Sequence, residues 1–231
     1  MARSGLGYNA EVSESSKHCV AKFIDTGSAE THRLYLARRT VLEMLKDRGC
    51  SVEQSEIDMS LAEFRTRFGE VASQDLLDRL RFSVPSISRP SEEVLVVFCG
   101  TDEIRKQAMS TILFQLTHDS SRPRVILVLQ SKMNFHAQKL AAESSFQIET
   151  FHITDLLVNI TKHKMLPKHE IVSDEEQQRL LNKLDVQPSQ IPRMLVTDPI
   201  VKYYRLEKGQ ILKVTYDGPS TGAIVTYRCV M

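Results

Sequence analysis

The chain has no tryptophan, and Phe and Tyr supply only 6% of its 231 residues. Its four cysteines, Cys19, Cys50, Cys99 and Cys229, are scattered without the short pair spacing that structural zinc sites use. They are expected to be unpaired or structural, Cys99 packing as a small hydrophobe in a reducing, intracellular setting. Charge of one sign is also missing. Lys and Arg total 30 against 29 Asp and Glu, so the whole-chain field cannot by itself drive tight nucleic-acid binding. No apolar run approaches a membrane span and no hydrophobic leader opens the chain, so no membrane partner is expected. Phosphate-cradling motifs are lacking as well. Gly100-Thr101-Asp102-Glu103 offers one glycine where a dinucleotide or P-loop fingerprint needs several, and Thr101 and Asp102 read better as helix caps. No serine sits in a Gly-x-Ser-x-Gly elbow.

What is present is an ordinary globular composition, 42% apolar and 26% charged, enough for one large domain or two small ones. Residues 1–29, rich in Ser, Gly and small polar residues, are expected to form a flexible tail. Leu34, Ala37, Val41, Leu42 and Leu45 then recur at helical spacing up to Gly49, a natural residue just past a helix end. Ser60 with Glu63 makes a capping box before Phe64 and Phe68, and a short helix follows near Asp75 to Leu80. Val94 to Cys99 and Val125 to Leu129 are continuous apolar runs that suit strands buried on both faces. Between them, past a loop at Ser86 to Glu93, a helix with Ile104, Ala108 and Ile112 on one stripe is expected, ending in the loop His118 to Pro123. Asn134 can cap the next helix, which leads to a strand within Phe146 to Phe151. This order predicts an α/β domain with a mainly parallel sheet covered by helices, over residues 30–159.

The pattern changes at Leu166-Pro167. Ser173 and Glu176 form another capping box, Asp198-Pro199 is an N-cap and first-position pair, and two alternating runs flank Gly218-Pro219. Residues 160–231 therefore read as a small α+β domain ending in an antiparallel hairpin.

Two chemical readings are weak. A strand ending in an acid, any residue and then Lys could bind a divalent cation as in metal-dependent nucleases, but here the strand ends Gln130-Ser131-Lys132, and a neutral Gln cannot supply the carboxylate. His163 and His169 flank Pro167 without further ligands at metal spacing, so they are expected to serve packing or an interface. No cofactor is expected. Lys132, His136 and Lys139 sit at a strand's C-terminal end and a helix start, where they could face a phosphate, although a plain solvated loop accounts for them equally well.

Three motifs succeed one another in the last third of the chain: Thr161-Lys162-His163-Lys164-Met165-Leu166-Pro167-Lys168-His169, Gln190-Ile191-Pro192-Arg193 and Asp198-Pro199-Ile200-Val201-Lys202-Tyr203-Tyr204. A Gly209-led strand and Thr226-Tyr227-Arg228 follow, and Arg38 to Gly49 stands ahead. In order and spacing these resemble the fifth common subunit of eukaryotic nuclear DNA-directed RNA polymerases, from about residue 30 to the end. One departure is plain: the family usually carries an Arg-x-Ser-Glu-Thr type stretch where this chain has Tyr216-Asp217-Gly218-Pro219-Ser220-Thr221. It hints at a specialised paralogue, such as those of plant polymerases that make noncoding RNA for gene silencing.

The resemblance implies a noncatalytic nuclear subunit. Its N-terminal domain would form part of the jaw near downstream double-stranded DNA, with the Lys132 loop as a jaw loop whose usual Thr-Pro pair is replaced by Asn134-Phe135. Its C-terminal domain would dock on the largest subunit, beside other polymerase subunits. The docking candidates are His163, Leu166, Pro167, His169, Ile191, Pro192, Arg193, Asp198, Pro199, Tyr203, Tyr204, Tyr227 and Arg228. The prolines fix backbone geometry in advance, the apolar and aromatic members can anchor, and the arginines can hydrogen-bond directionally. About half of them are expected to build the domain's own core instead. A metal-dependent nuclease-like domain and a free-standing interaction adaptor stand as alternatives.

Overall fold

The computed structural model describes residues 27–89, 92–117, 124–218 and 222–231. Residues 1–26 of the expected tail, the loop 118–123 and the turn residue Pro219 lie outside the described residues.

Helix α1, Ala29–Asp47, is capped by Ser28, whose side chain accepts the Thr31 N–H, and it ends where Gly49 takes φ 81°, a conformation glycine adopts without strain. Leu34, Ala37, Val41, Met44 and Leu45 are all fully buried along one stripe. Truncating a residue such as Leu45 to Ala would cost about 2–5 kcal/mol through the cavity left behind. Helix α2, Gln54–Asp58, escaped the sequence reading because it is a single short turn without a side-chain cap. It is held from outside: Glu56 accepts from both Arg38 and Arg67. Helix α3, Leu61–Phe68, carries the expected Ser60/Glu63 capping box, and α4 covers Gln74–Leu80.

The first sheet runs β1 (Phe82–Pro85), β2 (Glu93–Phe98), β3 (Arg124–Leu129), β4 (Ile148–His152) in spatial order. β2, β3 and β4 are parallel, while β1 is an antiparallel edge strand. β1 escaped the sequence reading because only Val84 in it is buried and it closes on Pro85, a residue tolerated at a sheet edge. The two faces have separate cores. Val94, Val96, Phe98, Ile126, Val128 and Phe151 face α1, α3 and α4. Leu95, Val125, Leu127 and Leu129 face α5 (Lys106–Thr117) and α6 (Phe135–Glu143). This two-sided burial is why the strands read as unbroken apolar runs.

Two local expectations need correction. α5 starts at Lys106, so Thr101 and Asp102 do not cap it, and the Asp102 carbonyl instead accepts the Ser131 hydroxyl. Ile104 lies before the helix in an isolated bridge to Met133, and Ala108 is exposed; the buried stripe is Met109 and Leu116, with Ile112 half-buried. Cys99 is 7% exposed, and burial pushes its thiol up to about 11.

The second sheet has the order β5 (Lys168–Ile171), β7 (Ile211–Gly218), β8 (Gly222–Val230), β6 (Arg193–Met194). β7 and β8 form the antiparallel hairpin, with Leu212 opposite Arg228 and Val214 opposite Thr226. Helix α7, Asp174–Leu184, covers Ile211 and Cys229 with Leu180 and Leu181, whereas Leu184 is left exposed. Helix α8, Pro199–Tyr204, covers the opposite face, where Leu212 and Val230 meet Ile200 and Val201. No helix among the described residues is long and apolar enough to cross a membrane.

Candidate functional site

The two lobes meet at a polar junction, between α1 and α8, built from residues far apart in sequence. The Glu43 carboxylate receives Lys162 Nζ at 2.6 Å and Asn159 Nδ2 at 2.8 Å. Asn159 Nδ2 also donates to the Tyr203 hydroxyl at 3.1 Å, and that hydroxyl donates to Asp47 Oδ2 at 2.7 Å. Burial alone would raise the Glu43 pKa, but the hydrogen bonds from Lys162 and Asn159 and the charges of Lys162 and Arg39 outweigh it and hold the carboxylate below its ordinary range. Tyr203 is pushed upward, first by burial and then by its bond to Asp47, so it stays a neutral donor.

Arg48 supplies the second half of the junction. Its Nε donates to the Tyr203 carbonyl, and its Nη2 to the Lys202 carbonyl and to Glu149 Oε2, each at 2.8 Å. Those carbonyls lie in the last turn of α8, where a helix leaves acceptors unsatisfied and a cation is favoured. Glu149 also receives Arg205 Nε at 2.9 Å, and Arg205 holds a left-handed φ of 53° while doing so.

The docking candidates separate into two groups. Tyr203 (4% exposed) and Ile191 (6%) are core residues of this chain, which corrects their reading as outward anchors. Tyr203 joins the first lobe's core with Tyr204 packed edge-on against it at 5.0 Å, and Ile191 packs with Ile211, Cys229 and the half-buried Tyr227. Their burial follows from the junction and from α7, neither of which local spacing reveals. Asp198 is half-buried and spends a carboxylate oxygen on the Ile200 N–H at 2.8 Å. Exposed are His163, Pro192, Arg193 and Pro199, while Leu166, Pro167, His169 and Arg228 are half-buried. Strand pairing places His169, Val214 and Thr226 in one row across the sheet, with Arg228 two residues further along β8 on the same face. Among the described residues, His169 Nδ1 and the Thr226 hydroxyl are buried there without a hydrogen-bond partner. Burial, with Arg228 nearby, pulls the His169 pKa down against the opposing pull of the Pro167 carbonyl and Asp198.

Sequence reasoning missed further surface residues. Tyr216 and Ile224, an opposite pair on the hairpin, are 40% and 48% exposed, and Leu195 and Met165 project even more. The signal was available: Ile224-Val225 breaks strict alternation, so one of the two had to face outward.

In the first lobe Lys132, His136 and Lys139 are all exposed. The Lys132 loop is tied down by the Asn134 N–H donating to the Ile104 carbonyl at 3.1 Å. Asn134 caps α6 by accepting the His136 N–H at 3.2 Å, so that amide is not free for a phosphate, and Lys139 pairs with Glu143 at 3.7 Å. Gln130 has a structural task, donating from Nε2 to the Cys99 carbonyl at 3.0 Å across the ends of β2 and β3. Among the described residues no three His, Cys, Asp or Glu gather where they could hold a metal.

The geometry defines a two-lobed protein with exposed Pro192 and Arg193 at the β6 edge of one lobe and exposed Lys132, His136 and Lys139 on the other. The family model "RNA polymerase Rpb5, N-terminal domain" matches residues 28–116, and "RNA polymerase Rpb5, C-terminal domain" matches residues 158–230. The chain is 44% identical over 232 aligned residues to DNA-directed RNA polymerase V subunit 5C of Arabidopsis thaliana, covering 100% of this chain and 98% of the relative. It is 44% identical to DNA-directed RNA polymerases IV and V subunit 5B of the same plant, over 91% of this chain and 95% of the relative. Against the subunit RPABC1 of DNA-directed RNA polymerases I, II and III from Caenorhabditis elegans it is 32% identical, over 87% of this chain and 97% of the relative. This chain belongs to the Rpb5 family of RNA polymerase subunits.

Proposed function

We propose that the protein is a noncatalytic subunit of a nuclear, multi-subunit DNA-directed RNA polymerase of the plant noncoding-RNA, gene-silencing kind. The observation that carries this is full-length similarity, across both lobes, to polymerase V and polymerase IV and V subunits at higher identity than to a subunit shared by polymerases I, II and III. Residues 160–231 act as the assembly domain and dock on the largest subunit, using Pro192, Arg193, Pro199 and the His169–Arg228 face. Residues 30–159 act as the jaw domain, with Lys132, His136 and Lys139 toward downstream DNA. Two features support this division of labour: exposed Arg193 lies on β6 with Pro192 just ahead of it and Pro199 opens α8, and exposed Lys132, His136 and Lys139 lie on α6 or just ahead of it in the other lobe.

Purifying the tagged protein from nuclei and quantifying its co-purifying large subunits tests the proposal. A stoichiometric polymerase IV or V largest subunit is expected. Recovery with only the polymerase I, II or III large subunits would reject the specialised assignment, and recovery with none would reject the subunit role.

A further inference from the structure

A hollow of about 210 Å³ opens at the junction of the lobes, walled by Met44, Phe151, Leu156, Ile160 and Pro199. Val158 stands at its rim, 67% exposed, and also lines a second groove that runs toward Lys162 and Lys164. The charges around the two are unequal. Arg39, Lys162, Lys164 and Lys202 face Glu43 and Asp155, and Glu43 is already occupied by Lys162 and Asn159. Lys164 and Lys202 have no ion-pair partner among the described residues.

We infer that this junction is a docking groove for an acidic segment of another polymerase subunit, which inserts one large apolar side chain into the hollow. The volume suits a single Leu, Met or Phe, and interface anchors of this kind fill desolvated pockets beneath a charged rim. Lys164 and Lys202 select for flanking carboxylates by charge complementarity. A second copy of this chain is disfavoured, because apposing the same rim would bring like charges together. The site shares Pro199 with the docking surface proposed above, but its lining does not include His169 or Arg228. Because the groove takes walls from both lobes, its occupant would read their relative placement. The inference rests on the polymerase-subunit reading.

The test places the photo-crosslinking residue p-benzoylphenylalanine at Val158 in the tagged subunit, purifies the assembled polymerase and identifies cross-linked peptides by mass spectrometry. A second position, the exposed Thr197, samples the part of the lining contributed by the other lobe. The expected result is one segment of another subunit carrying Asp or Glu within a few residues of Leu, Met or Phe. Its yield should fall about fivefold in Lys164→Glu/Lys202→Glu while incorporation stays unchanged. Cross-links to a segment without carboxylates, to residues 1–26 of this chain or to a second copy would overturn the inference, as would no cross-link from either position in a polymerase that contains the subunit. Loss of incorporation in the double variant would also overturn the inference, whereas absence of the unsubstituted parent from every purified polymerase would overturn the subunit reading on which it rests.

Discussion

Arg48 and Tyr203 are 155 residues apart in the chain and joined by a 2.8 Å hydrogen bond from guanidinium Nε to carbonyl oxygen. The bond closes one lobe onto the last turn of a helix in the other, and the Arg48 side chain is only 8% exposed. Arg48→Ala strips three acceptors at once, though Glu149 keeps Arg205 as a partner. The expected loss is about 2 kcal/mol in urea denaturation, below the full cost of orphaning a buried charge. Arg48→Lys should recover less than half of it, because an ammonium cannot reproduce the planar fork. A variant within 0.5 kcal/mol of the parent, roughly the scatter of surface substitutions, would show that the lobes are not held here.

Arg205 tests backbone against side chain at the same seam. Its φ of 53° costs a non-glycine residue about 1 kcal/mol, and its partly exposed pair with Glu149 returns a similar or smaller amount. Arg205→Gly should therefore leave stability nearly unchanged, whereas Arg205→Ala loses the pair and keeps the strain. A difference of about 1 kcal/mol in favour of Gly is expected from paired denaturation curves. Equal stabilities would mean the left-handed turn carries no strain.

Elements that one stretch of sequence specifies were legible. The capping boxes at Ser60 and Ser173, the Asp198-Pro199 start of α8, Gly49 and the three parallel strands all follow from local spacing and two-sided burial. What local spacing could not show depends on distant partners. Helix α2 is held by Arg38 and Arg67, edge strand β1 has one buried residue, and Tyr203 reads as an aromatic anchor until Asn159 and Asp47 are seen to claim its hydroxyl. The motif residues of the second lobe were found by succession, yet the sequence did not sort core from surface, because Ile191 and Pro192 are neighbours with opposite fates.

Tyr203→Phe isolates that hydroxyl. It removes the donor to Asp47 and one acceptor for Asn159 while preserving ring packing, so a loss of about 1–2 kcal/mol is expected. Tyr203→Ala should cost about 3–5 kcal/mol by opening the shared core. Incorporation into polymerase should then fall in step with the fraction unfolded. Full thermal stability with reduced incorporation would restore Tyr203 as a direct docking contact.

His169 makes a pH prediction. Its folded pKa lies below the unfolded value of about 6.5, so the unfolded chain takes up the proton first. The stability contributed by neutral His169 is complete above pH of about 6.5 and is lost as pH falls through the folded pKa. Thermal midpoints between roughly pH 7.5 and 5.5 should drop less in His169→Gln than in the parent. Parallel curves would exclude His169 as the responsible group.

The jaw and docking surfaces should fail in different assays. Lys132, His136 and Lys139 are exposed and lie outside both cores of the first lobe, so replacing all three with Ala should leave folding and incorporation intact. If they lie near downstream phosphates, the assembled enzyme should release DNA more readily, and the deficit should shrink as salt rises because screening weakens the contacts in the parent too. Arg193→Ala with His163→Ala, both exposed on the second lobe, should do the opposite. Incorporation should weaken by about 2 kcal/mol if these are interface hot spots, while DNA retention per assembled enzyme stays the same. The decisive pair of measurements is subunit stoichiometry in purified polymerase and the salt dependence of elongation-complex lifetime. Unchanged lifetimes in the triple variant at every salt concentration would leave Lys132, His136 and Lys139 as a solvated loop, since electrostatic contacts this exposed must show themselves where screening is weakest.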